Sequence, residues 1–153
     1  MPQDLRELSR RWFEQAWNQR DDSILPDMIA PDALIHGLAE DGRTLRGPSE
    51  FAHFRRPFLS AFDDLHLDIE DVLADGDKSV VRFTFSATHT GEGLGLAPTN
   101  RRFRSTAIVI LQWCGGKIIE AWNEFDAAGM LRQLTSREMT TCRVDASANA
   151  INA

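Results

Sequence analysis

The sequence predicts an α+β domain in which helices pack on the concave face of a curved antiparallel sheet. Apolar residues recur at helical spacing through about residue 62, and from residue 65 they alternate with polar residues at every second position. Short glycine-containing turns separate the alternating segments, as in β-hairpins. Helices followed by a run of hairpins are typical of the α+β class.

Three helices are predicted before the sheet. The first carries an apolar stripe made of Leu5, Leu8, Trp12, Phe13, Ala16 and Trp17. A short second helix has Pro26 in its first turns, and residues 33–36 form a short strand after it. The third begins at Gly47-Pro48 and carries the aromatic stripe Phe51, Phe54, Phe58 and Phe62. Pro57 lies inside this helix and is expected to kink it.

The second half of the chain is predicted to form four strands and a final helix. The strands cover residues 65–70, 81–86, 103–113 and 118–125. A loop covers residues 91–101, and the helix covers residues 127–134. Residues 1–134 therefore form a single domain, and residues 135–153, which follow neither period, form a C-terminal tail.

Composition argues against several classes of function. The chain of 153 residues has a net charge of −6 and a pI of about 5.2, which argues against nucleic acid and anionic membrane as main partners. It has no apolar run near the ~18 residues of a membrane span and no apolar signal segment at its start. Its two cysteines are too few for a disulfide framework. A cytoplasmic location is therefore expected.

No metal and no other cofactor are predicted. No two of the four histidines have the spacing of metal ligands on one element. The glycine-containing stretch at residues 91–95 does not open a helix, as a dinucleotide-binding loop must. The chain also has no tyrosine, so no mechanism can use a tyrosine hydroxyl.

Asp126 is the first candidate for chemistry. It stands between Phe125 and Ala127, where the last predicted strand meets the last helix. There a carboxylate either caps the helix by accepting backbone N–H bonds or is a buried acid that can serve as a general base. The local sequence favours the cap. Trp122, four residues earlier, is expected beside Asp126 and could stack on a flat ligand.

Two histidines and a glutamine complete the polar candidates. His89 shares the alternation of Phe83 and Phe85, so its side chain is expected to face the same interior. His36 ends a short apolar strand, and Gln112 could reach across a hairpin to the last strand. For both histidines a structural role is the alternative.

Several motifs resemble those of SnoaL-like polyketide cyclases. Residues 89–99, HTGEGLGLAPT, resemble the T-H-x-G-x-x-x-G-x-x-P-T segment of that family. Residues 116–126, GKIIEAWNEFD, resemble its G-K-I-x-E-x-W-x-x-x-D end. Further matches stand in the same order at Trp17-Asn18, residues 30–32, His36 and Gly47-Pro48. The resemblance covers about residues 5–134.

This resemblance implies a fold like that of nuclear transport factor two, a cone-shaped α+β barrel with a deep apolar pocket. It also implies a cofactor-free intramolecular aldol ring closure with Asp126 as general acid/base. Three positions depart from the family pattern: Ala121 replaces a frequent histidine, Gln112 a basic residue, and Asn100 a glycine. The alternative function is a non-catalytic binding or accessory module of the same fold.

The combined prediction is a pocket for a small apolar or aromatic ligand. Asp126 and His89 are its predicted catalytic residues. The predicted substrate-binding residues are Trp122, His36, Gln112, Phe83, Phe85, Trp17, Phe54 and Phe58. Because Ile108 and Ile110 are expected to point outward from the sheet, a homodimer through the sheet face is also predicted.

Overall fold

A computed structural model describes residues 3–135. Its four α-helices are α1 Leu5–Trp12, α2 Leu25–Met28, α3 Gly47–Ala61 and α4 Ala127–Thr135. Its six strands are β1 Ile29–His36, β2 Leu45–Arg46, β3 His66–Asp75, β4 Lys78–Thr88, β5 Arg102–Cys114 and β6 Lys117–Phe125. The predicted C-terminal tail lies outside the described residues from residue 136 onward. Within residues 3–135, no helix has the length and apolar character needed to cross a membrane.

The first helix changes its geometry before it ends. Asp4 caps α1 by accepting a hydrogen bond from the Arg6 N–H at 2.9 Å. The chain then continues from α1 directly into a π-helical turn, Phe13–Asn18. The buried residues of α1 and of this turn face the sheet, as the apolar stripe in the sequence predicted.

The six strands form one curved, unclosed sheet in the order β2-β1-β6-β5-β4-β3. The hairpins that join β3, β4, β5 and β6 are antiparallel, as predicted. One pairing differs from the prediction, because β1 pairs with β6 in parallel. Alternation of apolar residues reveals a strand but not its direction, and no tight turn links β1 to β6 to impose an antiparallel pairing.

Two bulges determine which residues share a face of the sheet. Glu70 is the extra residue in β3, and Ile119 is the extra residue in β6 between the pairs Gln112–Glu120 and Trp113–Ile118. Because of the second bulge, Ile118 and Ala121 both contribute to the concave face although they are three positions apart. The simple alternation predicted for this strand therefore holds only from Glu120 onward.

Helices α1 and α3 pack on the concave face of the sheet. α3 runs as one helix through Pro57. The loop after β4 is fastened to the end of α3, where the Gly91 N–H donates to the Ala61 carbonyl at 3.0 Å. A Cβ at Gly91 would lie 1.9 Å from the Ser60 carbonyl oxygen, so this close approach requires glycine.

Candidate functional site

A cavity lies between the concave face of the sheet and the helices α1 and α3. It measures about 790 Å³ out to the solvent at its mouth, and about 80 Å³ of this is wide enough for the centre of a water molecule. Strands β4, β5 and β6 form much of one wall. Six aromatic side chains form the helical wall: Trp12, Phe13, Trp17, Phe51, Phe54 and Phe58. The cavity is thus a narrow space between aromatic rings.

Five of the predicted substrate-binding residues line this cavity: Trp17, Phe54, Phe58, Phe83 and Phe85. Trp17 packs edge-on against Phe51 and Phe58, with ring centroids 5.9 and 6.3 Å apart. Phe83 and Phe85 are neighbours on the sheet wall, with centroids 6.0 Å apart. Rings in these arrangements present both faces and edges to a flat ligand.

A buried arginine holds the turn that carries Trp17. The Arg55 guanidinium of α3 donates hydrogen bonds to the Ala16 carbonyl and to the Asp22 carboxylate. Arg55 is only 2% exposed, and burial, followed by the nearby Arg20 charge, lowers the pKa of its guanidinium. Since α3 also carries Phe54 and Phe58, this contact fixes both parts of the aromatic wall relative to each other.

The cavity wall contains very little polar chemistry. Among the described residues that line it, Asn123 is the one side chain, apart from the indoles of Trp12 and Trp17, with a hydrogen-bonding group. None of the described lining residues is titratable. Sequence reasoning did not single out Asn123, although it alternates with Ala121 and Phe125 and so shares their face.

Three predicted substrate-binding residues lie on the opposite, convex face of the sheet. His36 and Trp122 are paired neighbours on β1 and β6, with ring centroids 5.9 Å apart. The His36 Nε2 lies 2.7 Å from Glu120 Oε2. Gln112 donates to the Asp77 carboxylate at 2.8 Å, so it does not reach toward the cavity. These residues form a cluster, but the sheet separates them from the aromatic wall.

His89 is fully buried outside the lining of the cavity. Its Nδ1 accepts a hydrogen bond from the Thr99 backbone N–H at 3.3 Å, so the ring proton is on Nε2. Its ring lies against Phe62, with centroids 5.5 Å apart. His89 is buried, as its alternation with Phe85 predicted, but it follows the end of β4 and does not line the cavity. His89 therefore fastens the loop of residues 91–101.

Asp126 caps the last helix. Its Oδ1 accepts the Gly129 N–H at 2.8 Å, and its carbonyl accepts the Met130 N–H at 3.0 Å. The side chain is exposed and borders a shallow surface depression together with Arg82 and Glu124. Of the two alternatives that the sequence left open, the geometry therefore supports the cap.

The fold and the cavity define a class of protein. An open, cone-like α+β domain with an apolar cavity between sheet and helices is the nuclear transport factor two-like fold. The family model of SnoaL-like polyketide cyclases matches residues 7–134. The chain belongs to that family.

Several relatives carry names or have known structures. The aklanonic acid methyl ester cyclase AcmA of Streptomyces galilaeus is 30% identical over 125 residues, which cover 81% of this chain and 86% of AcmA. The nogalonic acid methyl ester cyclase of Streptomyces nogalater is 28% identical, and the match covers 74% of this chain and 81% of that enzyme. The structure of IdmH from Streptomyces antibioticus is 30% identical with a TM-score of 0.72, covering 84% of this chain and 96% of IdmH. The named relatives are enzymes, which supports an enzymatic function for this chain.

Proposed function

We propose that this chain is a cyclase that closes a ring in a flat, largely apolar carbonyl compound. One observation carries the proposal. A cavity walled by aromatic and aliphatic side chains lies on the concave face of the sheet, in a chain whose named relatives are ester cyclases. Apolar walls with a few polar groups are typical of small-molecule sites.

The proposed reaction is an intramolecular aldol closure. A carbon next to one carbonyl loses a proton and attacks the carbon of a second carbonyl in the same molecule. As the new C–C bond forms, the second C=O becomes an alkoxide, which takes up a proton, so the atoms balance without an oxidant or a reductant. A wall that holds the two reacting carbons together lowers the entropic part of the barrier.

The family resemblance implies Asp126 as the group that moves the proton. The exposed position of its carboxylate and its bond to the Gly129 N–H support a structural role instead. We therefore assign binding and orientation to the cavity, and the acid–base role of Asp126 stays a prediction that Asp126→Asn tests. His89, bonded to the loop at Thr99, is assigned a structural role on the same ground.

The experiment uses aklanonic acid methyl ester and nogalonic acid methyl ester as probe substrates. Ring closure leaves the mass unchanged and shifts the chromatographic retention, so chromatography with mass detection reports it. Ala107→Leu adds bulk to the cavity wall and should lower turnover about tenfold or more. Ala74→Leu makes the same substitution at an exposed position of β3 that does not line the cavity, and should leave turnover unchanged. Tight binding of both probes without ring closure would support the non-catalytic module instead.

We also propose that two copies associate through the convex face of the sheet. One row of residues crosses five paired strands on this face: Leu73, Val80, Ile110, Trp122 and His36. Leu73 is 63% exposed and Ile110 is 36% exposed. Val80, Trp122 and His36 are half-buried. A contiguous row of large, partly exposed side chains is typical of an association surface.

The charges beside this row favour a second copy as the occupant. Arg82 of β4 and Glu124 of β6 both pair with Ile108 of β5, from opposite sides. Lys78 and Glu120 flank Gln112 in the same way. A two-fold axis parallel to β5 would place β4 of one copy over β6 of the other. Each basic residue would then face an acidic residue of the second copy.

A further inference from the structure

The side-chain amide of Asn123 has a fixed orientation at the cavity wall. Its Nδ2 donates a hydrogen bond to the His36 carbonyl at 2.8 Å. A carbonyl oxygen can only accept, so the NH2 end must face His36 and Oδ1 must point elsewhere. Gly37, whose φ is +84°, allows the close approach, because a Cβ there would lie 2.0 Å from the Asn123 carbonyl oxygen.

This orientation leaves Asn123 Oδ1 as an acceptor that no described group occupies, on a residue that lines the apolar cavity. Among residues 3–135, no side chain or backbone group donates to Asn123 Oδ1, whereas one hydrogen of Nδ2 is already used. The neighbouring lining positions on the strand, Ala121 and Phe125, are apolar. A ligand that fills the cavity displaces water from Oδ1 and leaves the acceptor unpaired unless the ligand itself supplies a donor.

We propose that Asn123 Oδ1 accepts a hydrogen bond from a hydroxyl group on the ligand, a phenol or an enol. The site thereby selects a neutral hydroxylated ring system over the corresponding ether, which has no donor, and over the corresponding anion, which the carbonyl dipole repels. This inference rests on the proposed function, because it takes the cavity to be the binding site. The ligand group that contacts β6 is then a hydroxyl.

The test compares 2-naphthol with 2-methoxynaphthalene by isothermal titration calorimetry at neutral pH, where the naphthol is uncharged. The two probes share their rings and differ in the donor. We expect the full chain to bind 2-naphthol roughly 3- to 10-fold more tightly, the range of a single net hydrogen bond. Without the bond, the more apolar ether should bind as well or better.

Two variants assign the preference to Asn123. Asn123→Leu removes the acceptor with little change in volume and should abolish the preference. Asn123→Asp keeps an acceptor oxygen and should retain it. Asn123→Leu also loses the bond to His36. If it does not fold for that reason, equal binding of the two probes to the unchanged protein, or loss of the preference in Asn123→Asp, overturns the inference.

The outcomes separate this inference from the proposed function. Binding of both probes with equal affinity, or tighter binding of the ether, overturns the inference while the cavity stands as a ligand site. A preference for 2-naphthol that survives in Asn123→Leu also overturns it. Binding of neither probe contradicts the use of the cavity as a binding site, and with it both proposals.

Discussion

The two faces of the central sheet are built from the same strands and carry opposite chemistry. In β5, Leu111 faces the cavity while Ile110 and Gln112 face outward. The concave face is almost entirely aromatic and aliphatic. The convex face carries ion pairs, such as Arg82 with Asp71 at 2.6 Å, beside exposed isoleucines.

This difference shows that the residues lining the cavity are not the ones that stand out in the sequence. Three of the residues that the sequence singles out as ligand contacts lie on the convex face: His36, Gln112 and Trp122. The cavity is made by residues that resemble ordinary core. Its polar anchor is one amide, Asn123, placed among apolar neighbours by the period of the strand.

The largest expected effect comes from truncating one leucine to alanine on each face of the sheet and comparing the two losses of stability. Leu111 is 2% exposed and lines the cavity, so Leu111→Ala should lower the free energy of unfolding by about 2–5 kcal/mol. Leu73→Ala removes an exposed leucine from the convex face and should change it by less than about 0.5 kcal/mol. Urea unfolding measures both. Equal losses would show that the faces do not differ in burial.

The next effect tests whether the convex face meets a second copy. Ile110→Glu places a charge at the centre of the row of large side chains that crosses the convex face. It should weaken self-association about tenfold or more. The mass from light scattering at tens of micromolar should fall from that of a dimer to that of a monomer. A monomer mass for the unchanged protein under these conditions would contradict the proposed dimer.

Charge exchange provides the matched control for the dimer. Glu124→Arg alone should weaken association because it would face Arg82 of the second copy. Adding Arg82→Glu restores opposite charges across the interface and should recover part of the dimer. If the double variant is weaker than the single one, the two-fold axis does not run parallel to β5.

A smaller effect is expected at Asp126. Asp126→Ala removes the cap of α4 and should lower the free energy of unfolding by about 1 kcal/mol, whereas Asp126→Asn should leave it nearly unchanged because asparagine caps equally well. Turnover of the ester probes should stay within about twofold in Asp126→Asn. A loss of roughly a hundredfold, with stability retained, would instead assign Asp126 as the general acid/base.

The smallest expected effect is on the pH dependence of stability. It concerns Asp64, which precedes β3 and accepts hydrogen bonds from Thr88 at the end of β4. Partial burial alone would raise the pKa of Asp64, but hydrogen bonds from the Thr88 N–H at 2.7 Å and the Thr88 hydroxyl at 2.9 Å lower it below the ordinary value. The folded protein thus binds this proton more weakly than the unfolded chain. The resulting stability is present above about pH 4 and is lost as pH falls through the folded pKa.

Asp64→Asn tests this acid dependence. The variant should be slightly less stable than the unchanged protein at pH 7. This difference in the free energy of unfolding should disappear between about pH 4 and pH 2. Urea midpoints at these pH values measure the difference. Asp63→Asn, at the exposed neighbouring position, is the control and should leave the pH dependence unchanged. A difference that widens on acidification would contradict the lowered pKa.

The sequence by itself predicted α1, α3, the four hairpin strands and five residues of the cavity lining, but not the start of β1 at Ile29, nor β2 or the π-helical turn. The periods of 3.6 and 2 place Trp17, Phe54, Phe58, Phe83 and Phe85 on buried faces, and these residues do line the cavity. The hairpins from β3 to β6 follow from short turns between alternating segments. These features depend on neighbours a few positions apart, so local patterns suffice to predict them.

Only the tertiary structure decided which polar groups meet. His36 and Glu120 are 84 positions apart and become neighbours through the parallel pairing of β1 and β6, which no local pattern predicts. The bulge at Ile119 decides which residues of β6 join the cavity wall. Asp126 had two locally consistent roles, and its bond from the Gly129 N–H at 2.8 Å supports the cap. The physical reason is that the facing and pairing of a side chain depend on strand register, which long-range contacts set.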